Sequence, residues 1–273
     1  MMSKGLTSNP ASQNQDGTID NSAADCPLLA ATMVLVRDQP KGYEVFMIER
    51  PAKGAFPKLH VFPGGKIDPS DSELAHYCPM LTDIRASQIL SVKDHGLRYW
   101  VCAIRECFEE CGVLFAHQND EILKVRTETE RLRVREWAER VSTSSEDFQL
   151  VLETHKLTLA TDEVHYFSHW ITPEIAPVRF DTRFFLAKLP QEQRADAQST
   201  EIVSACWVRP NVALENFRTK AWRMILPTLT TLRMISNYTD TEDLIKQVRT
   251  GYHKIPVRPG KQLQGMQPFL DQW

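Results

Sequence analysis

The chain has 273 residues, 42% of them hydrophobic and 25% charged, with a net charge of −3. This length suits one large domain with a sizeable core, or a domain with a helical appendage. The small net charge and the lack of any Lys/Arg run give no footprint for nucleic acid or an anionic membrane surface, and no apolar stretch approaches the ~18 residues that a membrane span needs.

Residues 1–25 lack the apolar core of a secretory signal and are expected to be a disordered tail. "PLLAATMVLVRD" (27–38) and "YEVFMIER" (43–50) read as paired strands joined by the turn signal "QPKG". "KLHVFPGGKID" follows as a short strand and a Pro63-Gly64-Gly65 turn, where the backbone can approach a ligand closely. Residues 72–95 are mixed in character and partly helical. Leu97, Trp100, Val101, Ile104 and Phe108 then recur at helical spacing, and Gly112 is a natural stop. From Asn119 to His155 the chain reads as two helices divided near "STSS". Strands are expected at 164–172, 179–189 and 201–208, and helices from Pro210 to Gly251. This order predicts an α/β (α+β) fold, an α/β/α sandwich around a mixed sheet.

Six cysteines (Cys26, Cys78, Cys102, Cys107, Cys111, Cys206) form no CxxC pair and are expected to be reduced thiols, with Cys107 and Cys111 stacked as small apolar residues. His60, His165 and His169 have no ligand spacing to a partner. The terminal "FLDQW" is not an SKL-type address, and a cytoplasmic location is expected.

"RECFEECG" (105–112) crowds three carboxylates into five positions. On a helix Glu106 and Glu110 are i and i+4 and Glu109 is i+3 from Glu106, so they repel one another, and they sit at the helix end where the dipole disfavours negative charge. A solvated face is the ordinary reading of such a cluster. A nearby positive charge, an arginine or a divalent cation, is the other.

The flanking residues favour the cation. A Gly-Gly turn after a strand, followed by a helix carrying R-E-U-x-E-E-x-G-U (U apolar), resembles the Nudix hydrolase box, G-x5-E-x7-R-E-U-x-E-E-x-G-U. Gly65 stands at the opening glycine, and Arg105, Glu106, Cys107, Glu109, Glu110, Gly112 and Val113 fill the second half. Asp71 replaces the first glutamate and stands 34 positions before Arg105, an interruption of the box. That interruption, with "HVFPGGKID" and "WITPEIAPVRFDTRFFLAKLP", is similar to the acyl-coenzyme A diphosphatases of the peroxisomal type and their bacterial relatives; the likeness spans Leu28 to Arg233.

The resemblance implies a Nudix domain over 26–250, with insertions at 72–96 and 119–156 and a tail at 251–273. It implies Mg²⁺ or Mn²⁺ held by Glu106, Glu109 and Glu110, with Glu109 sharing the metal or orienting water. Arg105 would fix a box glutamate, and Glu201, ahead of Trp207, is the candidate base. Gly64 and Gly65 would lend backbone to the phosphate region. Arg50, Lys53, Arg179 and Arg183 are candidates for the 3′-phosphate of coenzyme A, where a guanidinium fork binds bidentately. The implied substrate is a small nucleoside diphosphate derivative, coenzyme A or acyl-coenzyme A, with no nucleic-acid or membrane partner and with room for a homo-oligomer. ADP-ribose is the competing substrate, and a nucleotide-binding module without turnover is the competing class. The 72–92 stretch is expected to be a removable excursion.

Overall fold

The computed structural model describes residues 26–52, 58–198 and 202–251, with the backbone of 256–257. The predicted 1–25 tail, Lys53, Glu201 and most of the 251–273 tail lie outside these residues. Strands β1 (Leu28–Gln39) and β2 (Gly42–Glu49) form the expected antiparallel pair, with Val36 opposite Val45. Two short strands follow, β3 (His60–Val61) on β2 and β4 (Gly64–Lys66) on β1. The glycine pair is therefore itself a strand, not only a turn.

A 3-10 stretch (Pro69–Tyr77) and α1 (Asp83–Leu90) lead into α2 (Arg98–Cys111), which ends at a left-handed Gly112. A small sheet, order β6-β5-β7, comes next, from β5 (Ala116–Gln118), β6 (Glu121–Ile122) and β7 (Leu157–Leu159). Between β6 and β7 lie α3 (Glu128–Val141), opened by a Thr127/Glu130 capping box, and α4 (Glu146–His155). Residues 119–122 were expected to be helical and are instead a hairpin. Asn119 and Asp120 both have positive φ, the pair of conformations a tight two-residue turn demands.

Strands β8 (Val164–Ile171), β9 (Phe180–Lys188) and β10 (Ser204–Val208) and helices α5 (Pro210–Arg218), α6 (Leu226–Ile235) and α7 (Thr241–Arg249) complete the described chain, with β11 (Pro256–Val257) at the edge. The main sheet runs β10-β2-β1-β9-β8-β11 and is mixed, because β1 and β9 are parallel while β1–β2 and β8–β9 are antiparallel. Apolar residues alternate across it. Ala31, Met33, Leu35, Phe46, Ile48 and Phe185 pack with α2, and Val34, Val36, Val45, Met47, Phe184 and Leu186 pack on the other face with Leu232, Ile235, Leu244 and Val248 of α6 and α7. This is the expected α/β/α layering. Among the described residues no helix is long and apolar enough to cross a membrane.

The interruption of the box is not a loose excursion. Leu74, Cys78, Ala86 and Leu90 are buried in the same core as α2. Both carboxylate oxygens of Asp83 accept from the start of the next helix, from His95 N–H at 3.1 Å and Leu97 N–H at 2.9 Å. A Cβ at Gly96 would stand 2.4 Å from the backbone nitrogen of Ser87, so α1 and the entry to α2 touch backbone to backbone. The expectation that 72–92 is dispensable is corrected: its periodicity is hidden in a 3-10 stretch, yet its apolar side chains complete the core.

All six cysteines are free, and Cys107 and Cys111 are fully buried. His165 is half-buried on β8. Its burial, reinforced by Arg249, holds its pKa down at about 4. The fold keeps this imidazole neutral while the unfolded chain protonates it near 6.5, so its contribution is present above that pH and is lost as pH falls toward 4. Between pH 7 and 4.5 the native chain should lose roughly 2 kcal/mol more stability than His165→Gln, which has no proton to take up; denaturant melts at the two pH values give the difference, and equal losses would contradict it.

Candidate active site

Helix α2 presents its apolar side to the sheet through Val101, Ile104, Cys107 and Phe108, and Trp100 Nε1 donates to the Val164 carbonyl at 2.8 Å. Its other side carries Arg105, Glu106 and Glu109 against the β4 turn and the 3-10 stretch. Arg105 is buried and organises this side. Its Nε and Nη2 donate to the two oxygens of the buried Asp71 carboxylate at 2.8 and 3.1 Å. Its Nη1 donates to Glu106 at 3.0 Å and to Glu109 at 2.8 Å, and Nη2 also reaches the Lys66 carbonyl at 3.0 Å. Arg105 thus does more than hold a glutamate rotamer: it ties two glutamates, a loop carbonyl and the Asp71 position of the box together.

Glu110 points away from this cluster. Gly64 N–H donates to its Oε2 at 2.8 Å, while Arg50 donates to the Gly64 carbonyl at 3.0 Å and stands 3.7 Å from Glu110 Oε1. A Cβ at Gly65 would lie 2.5 Å from the Glu106 carboxylate and would displace it. The box glutamates and the Gly-Gly strand therefore meet in space.

Four carboxyl groups (Asp71, Glu106, Glu109, Glu110) face two guanidinium groups (Arg105, Arg50). Burial pushes Glu106 up to about 7, Arg105 opposing and Glu109 adding to the rise; burial raises Glu109 and Asp71 too, again against Arg105. For Arg105, burial works against the charge, but Asp71 and Glu106 outweigh it and hold the group firmly protonated. The excess of negative charge and the all-oxygen donor set fit a hard divalent cation. Among the described residues no three such side chains converge on one point; Glu106 and Glu109 turn to Arg105 and Glu110 turns to Gly64. That suits a cation held by one or two carboxylates and completed by water and substrate phosphate.

Of the other sequence candidates, Arg183 is buried, paired with Asp181 and stacked over Tyr99 of α2 at 5.2 Å. Through Ala31 of β1 it is two strands from Gly65. With Asp181 and Tyr99 as its partners, it is not among the residues that the structure places at the glutamates. Arg179 Nε donates to the Thr172 carbonyl at 3.2 Å. Arg50 is the phosphate candidate that the structure brings to the glutamates. His169 pairs with Asp181 at 2.7 Å, and His60 stacks on Trp222.

Sequence reading missed the segment after β9. Gln193, buried, accepts from Leu114 N–H at 3.0 Å and donates to the carbonyls of Leu114 at 2.9 Å and Leu123 at 3.0 Å. Asp196 N–H and Gln198 N–H donate to the carbonyls of Cys111 and Glu110. A glutamine in a polar stretch gives no signal of this.

The family model described as the NUDT19 Nudix domain matches residues 78–235. The acyl-coenzyme A diphosphatase NUDT19 of Xenopus laevis is 27% identical over 215 residues, 66% of this chain and 56% of that protein; the human protein of that name is 24% identical over 270 residues, 84% of this chain and 68% of that protein. The chain thus spans little more than half the length of the first of these. The crystal structure of a NUDIX hydrolase from Alicyclobacillus acidocaldarius superposes with a TM-score of 0.68 at 23% identity, covering 81% of this chain and 96% of that one, which is agreement in fold. With its box assembled in space and the family model matching more than half of its length, the chain belongs to the Nudix hydrolases, in the NUDT19 group.

Proposed function

We propose that this protein is a Mg²⁺- or Mn²⁺-dependent diphosphatase that cleaves coenzyme A or acyl-coenzyme A into a 4′-phosphopantetheine species and adenosine 3′,5′-bisphosphate. The observation that carries the reading is the juxtaposition of Glu106, Glu109 and Glu110 with the Gly64-Gly65 strand and Arg50. The likeness to acyl-coenzyme A diphosphatases of the NUDT19 group supports the substrate class.

A diphosphate repels an incoming water because both phosphoryl groups are anionic. A bound divalent cation would neutralise that charge and polarise a phosphoryl oxygen; one or two of Glu106, Glu109 and Glu110 would hold it. The chain's own groups do the rest. Arg50, anchored on the Gly64 carbonyl, offers its remaining N–H groups to a phosphate oxygen. Arg105 keeps the glutamates in place without facing the substrate. Glu201 is the proposed base that takes the proton of the attacking water.

Coenzyme A differs from dephospho-coenzyme A and ADP-ribose by a 3′-phosphate. A charge-assisted hydrogen bond is worth about 1.5–3 kcal/mol, so kcat/KM should fall ~10- to 100-fold when that phosphate is absent. The three substrates are compared at equal Mg²⁺ and then equal Mn²⁺, with products identified by mass. ADP-ribose cleaved as well as coenzyme A would remove the coenzyme A specificity and leave a general Nudix pyrophosphatase. No turnover of any diphosphate would leave a binding module.

A further inference from the structure

Helix α2 ends with carbonyls that have no partner within the helix, and a helix end is held only as well as those groups are satisfied. Phe108 O accepts from Gly112 N–H, as a left-handed glycine cap provides. The carbonyls of Glu110 and Cys111 are met from outside the helix. Gln198 N–H donates to Glu110 O at 3.0 Å, and Asp196 N–H donates to Cys111 O at 3.1 Å. The Gln198 side chain also covers Gly112, where a Cβ would lie 3.1 Å from its Cγ. Two anchors keep the segment in place: Ala195 is buried in the α2 core, and Gln193 spends its amide on Leu114 and Leu123.

We propose that residues 193–198 are a strap that positions Glu110 for the diphosphate site, with Gln193 as its anchor and the Gln198 amide as its point of action. Among the contacts of Glu110 are one on its backbone, from Gln198 N–H, and one on its carboxylate, from Gly64 N–H at 2.8 Å. The first sets the rotation of the last helical turn, and that rotation aims the carboxylate at the second. The side chain of Gln198 is not needed for this; its N–H is. The inference rests on Glu110 acting at the diphosphate site, as proposed above, but the aiming itself has its own readout.

That readout is the exchange rate of the Gly64 amide, whose hydrogen-bond acceptor is Glu110. Gln198→Pro deletes the donor N–H, and Gln198→Ala keeps it. In the full chain, by NMR, Gly64 exchange should quicken on the order of 10-fold in Gln198→Pro and stay unchanged in Gln198→Ala, with the Phe185 amide in the central sheet as the control for global opening. Gln193→Asn, one methylene too short to span Leu114 and Leu123, should act like the proline variant and tests the strap should the proline disturb the fold. Coenzyme A turnover should fall in kcat ~5- to 10-fold with KM within about twofold, and Gln198→Ala should match the native enzyme. Unchanged Gly64 exchange in both Gln198→Pro and Gln193→Asn, with Phe185 protected, overturns the strap. Quickened exchange in a chain whose native form hydrolyses no diphosphate would uphold the strap and overturn the activity.

Discussion

Glu110→Gln should lose at least ~10³-fold in kcat/KM, about 4 kcal/mol of transition-state stabilisation, while its fold survives. The glutamine oxygen can still accept from Gly64 N–H, the bond that Glu110 Oε2 makes at 2.8 Å, so the β4 strand keeps its tether. What disappears is a negative charge in a nearly enclosed position beside Arg50. With one acidic group fewer, a divalent cation is held less tightly, and Arg50 is left with its positive charge less balanced. The change is thus almost purely electrostatic. Steady-state kinetics on coenzyme A, with thermal melts to check folding, decide the matter; a variant keeping a tenth of native activity would show that Glu110 serves the loop and not the chemistry.

Replacing residues 72–92 with a short Gly/Ser linker should abolish cooperative folding. The segment contributes Leu74, Ala86 and Leu90 to the core around α2. Emptying a single buried leucine costs about 2–5 kcal/mol, and this replacement empties two, removes Cys78 and takes away the Asp83 carboxylate that holds the His95 and Leu97 N–H groups at the entry to α2. The total is comparable to the whole stability of a domain, about 5–15 kcal/mol. Loss of the near-ultraviolet circular dichroism and of a calorimetric transition is the expected result. A folded product with a normal transition would restore the segment to the status of a surface excursion. Leu74→Ala is the milder companion and should cost about 2–5 kcal/mol in denaturant melts.

The legible and illegible parts of this sequence divide by range. Helix α2 announces itself through Leu97, Trp100, Val101, Ile104 and Phe108 at local spacing and through Gly112, and the box residues ride on it in fixed register. The strands 28–39 and 42–49 were equally plain from alternation and a turn. The stretch Pro69–Tyr77 was not, because a 3-10 coil blurs the 3.6-residue period and Leu74 is its lone buried aliphatic residue. At Asn119–Asp120 the surrounding Glu, Leu and Arg favoured helix, whereas the backbone needed two residues tolerant of positive φ. Partners distant in sequence were hidden altogether. Nothing near Gln193 reveals that it spans Leu114 and Leu123, and "RFDTRFF" offered Arg183 as a ligand for phosphate when the register of β9 places it under Tyr99 with Asp181 for company.

One side chain, Arg105, is shared by Asp71 of the 3-10 stretch, the Lys66 carbonyl and two glutamates on α2. A cation that drew Glu106 or Glu109 toward itself, as proposed above, would compete with Arg105 Nη1 for the same oxygens, while Nε and Nη2 stay on Asp71. If occupancy of the site changed the hold of Arg105 on the 69–77 stretch, opening of that stretch would change occupancy by the same free energy. The 3-10 stretch around Asp71 is far from the glutamates along the chain, yet one buried arginine joins the two.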